Sequence, residues 1–172
     1  TKVIDVGCGT GLAIELMAEV WPNCLFEGYD VSERAVAGAQ KRFDGVDNVT
    51  IYLAGAEELP PAQDADLIMT LDCLHDMPRP DLAMSAIRKA ISTDGTWLIK
   101  EIKSSPDWSK NRRNPMLAMM YSTSVASCMS SAMSSTDGLG LGTLGMNPAV
   151  VESMVTEAGF TRFSMHDLDD PT

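Results

Sequence analysis

The stretch Lys2-Val3-Ile4-Asp5-Val6-Gly7-Cys8-Gly9-Thr10-Gly11 limits what this chain can fold into more than any other part of it. An apolar run of strand length carries one acid, ends in three alternate glycines and hands over to a helical pattern beginning near Leu12. Strand, bare turn and helix in that order make a nucleotide-type corner of an α/β domain. The glycine spacing narrows the ligand. A dinucleotide fingerprint needs a third glycine three places after the second, and Leu12 stands there. A P-loop needs Gly-Lys-Ser or Gly-Lys-Thr, and the sequence has neither. What remains is a main chain that a ligand can approach closely. Asp5 beside it suits a cation, such as the ammonium of an amino acid, better than a phosphate.

The rest of the chain alternates strand and helix patterns. Leu12, Leu16, Met17 and Val20 recur on one side of the first helix and are expected to face the core. Cys24 to Asp30 reads as a second strand ending in an acid, where doubly wound domains accept hydrogen bonds from ribose hydroxyls. Ser32 follows as an N-cap, with Ala35, Val36, Ala39 and Phe43 as the buried stripe behind it. Val49 to Leu53 is a third strand, and the continuous apolar run Ala65 to Leu71 suits a central parallel strand covered on both faces. A helix from about Asp81 with Leu82, Ala83, Ala86, Ile87, Ala90 and Ile91 on its apolar side, a turn at Thr93-Asp94-Gly95 and a fifth strand over Thr96 to Ile102 complete a pattern that predicts a parallel sheet wrapped by helices on both faces.

From Lys103 to Asn147 the alternation stops. A break of that length in a compact domain is a functional lid or carries structure of its own. A helix is expected over Pro115 to Met129, with methionines lining a pocket that adapts to an apolar acceptor. Gly138, Gly140, Gly142 and Gly145 read as a flexible hinge after it. Pro148 opens a last helix ended by Gly159, and Phe160 to Asp167 reads as a sixth strand.

Val3-Ile4-Asp5-Val6-Gly7-Cys8-Gly9-Thr10-Gly11 closely resembles the first motif of the class I S-adenosylmethionine-dependent methyltransferases. The resemblance implies a doubly wound, Rossmann-like α/β sheet of strand order 3-2-1-4-5-7-6 with the seventh strand antiparallel. In this chain the last strand and the N-terminal region are expected to be missing. Residues 1–172 would then be a partial cofactor-binding domain, with 103–147 an insertion forming a helical lid over the substrate pocket. The implied cofactor is S-adenosyl-L-methionine, held by Asp5, Gly7, Cys8, Gly9 and Gly11, by Asp30 with Val31 packing on the adenine, and by Leu71 and Asp72 at the end of the fourth strand. Ala54-Gly55-Ala56-Glu57-Glu58-Leu59-Pro60 looks like the family's Gly-Asp-Ala-x-x-Leu-Pro loop, but Gly55 replaces the acid that reads the adenine amino group. Either the Ala56 main chain and Glu57 supply that contact, or adenine is held less tightly than in relatives.

Leu74-His75-Asp76-Met77-Pro78 resembles the motif-four loop of plant-type and related bacterial small-molecule O-methyltransferases. Their histidine is a general base, the part a group titrating near neutrality plays well. The resemblance makes His75 the base, with Asp76 beside it and Glu101, at the end of the fifth strand, orienting it. Asp72, His75 and Asp76 lack the recurrent carboxylates of a magnesium site, so no metal is expected. The function implied is methyl transfer to a small-molecule acceptor, most readily a hydroxyl. A non-catalytic module that senses the cofactor is the alternative.

Charge and cysteines bound the partners. A net charge of -11 over 172 residues repels nucleic acid and anionic membranes. Cysteines at 8, 24, 73 and 128 show neither paired metal spacing nor a disulfide framework, which fits a cytoplasmic protein with reduced thiols. A homodimer formed through the missing N-terminal region is a further expectation.

Overall fold

Five runs rich in β-branched and large apolar residues pair into one parallel sheet in the computed structural model, which describes residues 1–102, 105, 107–142 and 144–166. The strands are β1 (Lys2–Val6), β2 (Leu25–Asp30), β3 (Val49–Leu53), β4 (Ala65–Leu71) and β5 (Ile91–Lys100). Their order is β3-β2-β1-β4-β5, the first five places of the expected sheet. The order reverses beside β1, so the glycine turn leaves the sheet at its topological switch point, where open α/β sheets collect ligands.

The chain divides into two units, one of Thr1–Leu71 with Ser85–Lys100 and one of Asp72–Met84 with Glu101–Thr172. The first holds the sheet together with α1 (Leu12–Val20) and α2 (Glu33–Arg42). Its core joins Val3, Phe26, Ile51 and Met69 of the sheet to Ile14 of α1 and to Val36, Ala39 and Phe43 at α2. Ser32 caps α2 as expected, its hydroxyl accepting from Ala35 N–H at 3.3 Å. Of the expected face of α1 only Met17 packs against the core. Ile14 is buried, whereas Leu12, Leu16 and Val20 are more than half exposed. A helix apolar on several sides leaves a 3.6-residue period with no unique stripe to choose.

Helix α3 (Pro80–Ala90) runs across the unit boundary and buries Ala83, Met84, Ala86, Ile87 and Ala90. Leu82, expected to face inward, is exposed. Strand β5 begins at Ile91 rather than Thr96, and the turn expected at Thr93-Asp94-Gly95 is instead absorbed by a register irregularity against β4.

The second unit contains α4 (Trp108–Asn111), α5 (Leu117–Ala126), α6 (Cys128–Ala132) and α7 (Pro148–Glu157). The single helix expected over Pro115 to Met129 is therefore broken at Ser127. Asn147 caps α7 by accepting from Ala149 N–H at 3.0 Å, and Gly159 at φ 98° closes it in the left-handed conformation that glycine favours. No strand forms over residues 160–166, against expectation, and residue 167 lies outside the described residues. An apolar run becomes a strand only by pairing with a neighbour. Among the described residues, no helix is long and apolar enough to cross a membrane.

Candidate active site

The glycine turn is built to leave its main chain bare. Gly7, Gly9 and Gly11 have φ of 75°, 56° and 79°, the left-handed region that costs other residues energy. The N–H groups of Gly7 and Cys8 both donate to the Tyr29 carbonyl, at 2.8 and 3.1 Å, which ties the turn to β2. A Cβ on Gly9 would meet nothing within 4 Å, so the space over the bend is open. Cys8 turns its thiol inward beside Gly28, and burial, with Asp5 and Asp30 behind it, pushes that thiol up to about 12. Only its main chain is available to a ligand.

Asp30 is fastened to the turn. Its Oδ2 accepts from Gly9 N–H and its Oδ1 from Ser32 N–H, both at 2.8 Å. One lone pair on each oxygen is left over, enough for two ribose hydroxyls. Val31, next along, is one of the most exposed apolar side chains, a free surface for a flat ring.

Asp5 is buried, and its Oδ1 has no hydrogen-bond partner. Burial, with the nearby charge of Asp30 adding to it, pushes its carboxyl up to about 6. The folded chain therefore holds this proton more tightly than the unfolded chain does, and stability falls as pH rises from the ordinary carboxylate value through about 6. Two pKa units correspond to roughly 3 kcal/mol. Asp5→Asn is accordingly expected to stabilise the protein at neutral pH by about 1–3 kcal/mol and to flatten that pH dependence, which denaturant melts on both sides of pH 6 check.

In the third loop two acids close around Gly55. Glu58 accepts from Gly55 N–H at 2.8 Å and closes the short 3₁₀ turn Ala56–Glu58. Glu57 folds back so that its carboxylate lies 2.7 Å from where a Cβ of Gly55 would be. An acid thus stands over position 55 although none is encoded there. Ala56 is buried and offers only its main chain. Leu71 closes β4 at the edge of the first unit.

The second unit opens with Asp72, a non-glycine residue at φ 51°. Such a conformation is tolerated by aspartate and recurs at functional turns. His75 follows in the 3₁₀ turn Leu74–Asp76 and is 3% exposed. Glu101 grips it twice, accepting from the His75 main-chain N–H at 3.2 Å through Oε1 and lying 2.6 Å from Nδ1 through Oε2. A proton on Nδ1 makes this a strong charge-assisted bond and leaves Nε2 as the basic nitrogen. Asp76 Oδ1 lies 3.3 Å from Nε2. Burial opposes the imidazolium, but Glu101, Asp76 and Asp72 together outweigh it and hold the imidazole above its ordinary value. His75, Asp76 and Glu101, expected together from sequence, do come together.

Residues that the motif reading left out hold this histidine in place. Helix α6 packs on the 3₁₀ turn, bringing Cys128 beside Asp76. Gly142 lies so close that a Cβ there would fall 1.8 Å from the His75 carbonyl oxygen. Ser124, buried in α5, accepts from Leu144 N–H at 3.2 Å, and its hydroxyl lies 3.4 Å from the Gly142 carbonyl. The glycines expected to form a flexible hinge are therefore packed, Gly140 against Met133 and Gly145 against Ile102. A dense glycine run with no cation nearby was the only signal, and it reads equally well as a linker.

A family profile described as a methyltransferase domain matches residues 1–159. The chain belongs to the methyltransferase domain family. Among curated relatives, a trans-aconitate 2-methyltransferase of Mycolicibacterium gilvum is 27% identical over 112 residues, covering 64% of this chain and 41% of the relative. The chain thus spans less than half the length of that relative. Among solved structures, the citrinin polyketide synthase CMeT domain superposes with a TM-score of 0.71 at 16% identity, over 94% of this chain and 40% of that one. A Haemonchus contortus phosphoethanolamine N-methyltransferase 2, solved with S-adenosyl-L-methionine, gives 0.67 at 19% identity, over 93% and 33%. The family supports the cofactor expectation, S-adenosyl-L-methionine. Relatives named for such different acceptors leave the methyltransferase domain's own acceptor to its site chemistry.

Proposed function

We propose that this methyltransferase domain moves a methyl group from S-adenosylmethionine to a small-molecule acceptor, a hydroxyl, with His75 as the base. The observation that carries the reading is the open glycine turn tied to Asp30, beside a buried Asp5 whose Oδ1 has no partner. That donor set fits a nucleoside bearing a cation. The leftover lone pairs of Asp30 suit ribose hydroxyls, Val31 and the Ala56 main chain suit the adenine, Glu57 suits its amino group, and Asp5 with the bare turn suits the ammonium end. When bound, S-adenosylmethionine supplies an electrophilic methyl on a positively charged sulfur.

The chain's own part in the chemistry is alignment and proton removal. Glu101 fixes the ring so that Nε2 accepts the hydroxyl proton. Asp76, which covers Nε2, moves aside for the acceptor and then stabilises the imidazolium that forms. The segment 103–147, acting as a lid, offers the acceptor's apolar part a methionine-rich wall.

Calorimetric titration with S-adenosylhomocysteine tests the reading. Saturable heat is expected, with an affinity that falls at least tenfold in Asp30→Ala. Neither heat nor a thermal shift at about millimolar ligand, where binding free energies near 4 kcal/mol still register, sinks it.

A further inference from the structure

The 3₁₀ turn and α6 place three ligand atoms of different chemistry around one point. His75, Asp76 and Cys128 each offer one ligand atom, and these three atoms all lie within 4.8 Å of one another. We propose that these three atoms form a site for a thiophilic divalent cation of the zinc class, and that the ion, when bound, shuts the enzyme off by occupying Nε2.

Three features support the site independently of any methyl transfer. The Nε2 to Oδ1 separation of 3.3 Å is already the ligand spacing of a tetrahedral zinc ion with bonds of about 2.0 Å. Cys128 Sγ lies within 4.8 Å of the other two ligand atoms, against roughly 3.5 Å for a sulfur and a nitrogen bound to one tetrahedral zinc ion. Second, Asp76 Oδ1 is inaccessible and has no hydrogen-bond partner. With the proton on Nδ1, its lone pair confronts that of Nε2, an arrangement that a cation between them relieves. Third, the other ring nitrogen is bound to a carboxylate, Glu101, at 2.6 Å. Metal-bound histidines nearly always have such a partner, which fixes the tautomer and raises ligand basicity.

The donor set selects the ion. One imidazole, one carboxylate and one thiolate leave a fourth tetrahedral position for water and suit zinc, whereas magnesium and calcium prefer oxygen alone. Burial and the adjacent Asp76 keep the Cys128 thiol protonated in the free protein. Binding therefore breaks the S–H bond, forms a metal–sulfur bond and releases one proton to solvent. The three ligands cancel the ion's charge. Sequence spacing could not reveal this site, because Cys128 lies 52 residues from Asp76 and only the packing of α6 brings them together.

The inhibitory half of the proposal rests on His75 being the base, and the binding half does not. The test is a cobalt(II) titration of the reduced, chelator-treated full chain, followed by displacement with zinc. A near-ultraviolet thiolate-to-cobalt band saturating at one equivalent is expected, retained in Cys24→Ser and Cys73→Ser and lost in Cys128→Ser. Asp76→Asn and Glu101→Gln should each weaken affinity by about 10- to 100-fold. No band, or a band that survives Cys128→Ser, overturns the site. X-ray absorption of the zinc-loaded wild-type protein needs no variant to fold. One sulfur near 2.3 Å among nitrogen and oxygen scatterers is expected, and a shell without sulfur overturns the site equally. In the methylation assay, zinc should inhibit the wild type at least tenfold more strongly than Cys128→Ser. Equal inhibition removes the regulatory half. A protein that binds cobalt through Cys128 yet transfers no methyl in chelator points to failure of the functional reading, not of the site.

Discussion

Replacing His75 with alanine is expected to lower turnover by about 10²-fold or more, with S-adenosylhomocysteine affinity changed by far less. A general base contributes through proton transfer in the transition state, so its loss should appear in kcat rather than in binding. The environment adds a pH signature. Glu101, Asp76 and Asp72 together hold the imidazolium above its ordinary pKa against the opposing effect of burial. Because the base works only when neutral, kcat should rise with pH through an apparent pKa above 6.5, the unperturbed histidine value. Glu101→Gln removes the strongest of those raising influences, so the rising limb should move to lower pH while the plateau falls. Stability runs the other way. A histidine whose folded pKa is raised contributes stability that is fully present below its unfolded value and is lost as pH rises through the folded one. Unchanged turnover in His75→Ala would reduce the histidine to a pocket wall, and a limb that ignores Glu101→Gln would assign the titration to another group.

Much of this arrangement was legible in the residues because backbone chemistry wrote it there. Gly7, Gly9 and Gly11 adopt the left-handed conformation that their alternation announces, and Asp30 ends its strand against them as its position implies. The continuous apolar runs foretold a parallel sheet, since only strands covered on both faces tolerate them. Periodicity failed where an element has more than one apolar side. Leu12, Leu16 and Val20 form as regular a stripe as the one containing Ile14, and packing on the sheet chose the latter. Leu82 lost to Met84 on α3 in the same way. The surroundings of His75 were invisible for a different reason. Cys128 and Gly142 reach it across 53 and 67 residues, with Ser124 bonded to Gly142 behind them, and no local pattern encodes a contact at such range.

Gly142→Ala is expected to be the most destabilising single-methyl change in the second unit. The added carbon would fall 1.8 Å from the His75 carbonyl oxygen and 2.7 Å from its carbonyl carbon. Those atoms are main chain, so no side-chain rotation relieves the overlap. Either the glycine strand or the 3₁₀ turn carrying the base must shift, and overpacking of that kind costs about 3 kcal/mol. For a chain of this size that lowers Tm by roughly 6–12 °C. The shift also pulls His75 from Glu101, since the same backbone carries the N–H that Glu101 Oε1 accepts. Turnover should therefore fall together with stability, and the pH limb assigned to His75 should move. Gly38→Ala is the matched control. Its Cβ would sit 3.6 Å from Thr10 Cγ2, an ordinary contact, inside α2, where alanine is favoured over glycine by about 1 kcal/mol. Thermal melts that rank Gly142→Ala no lower than Gly38→Ala would mean that the glycine run is a loose connector after all, and that the base owes its position to Glu101 alone.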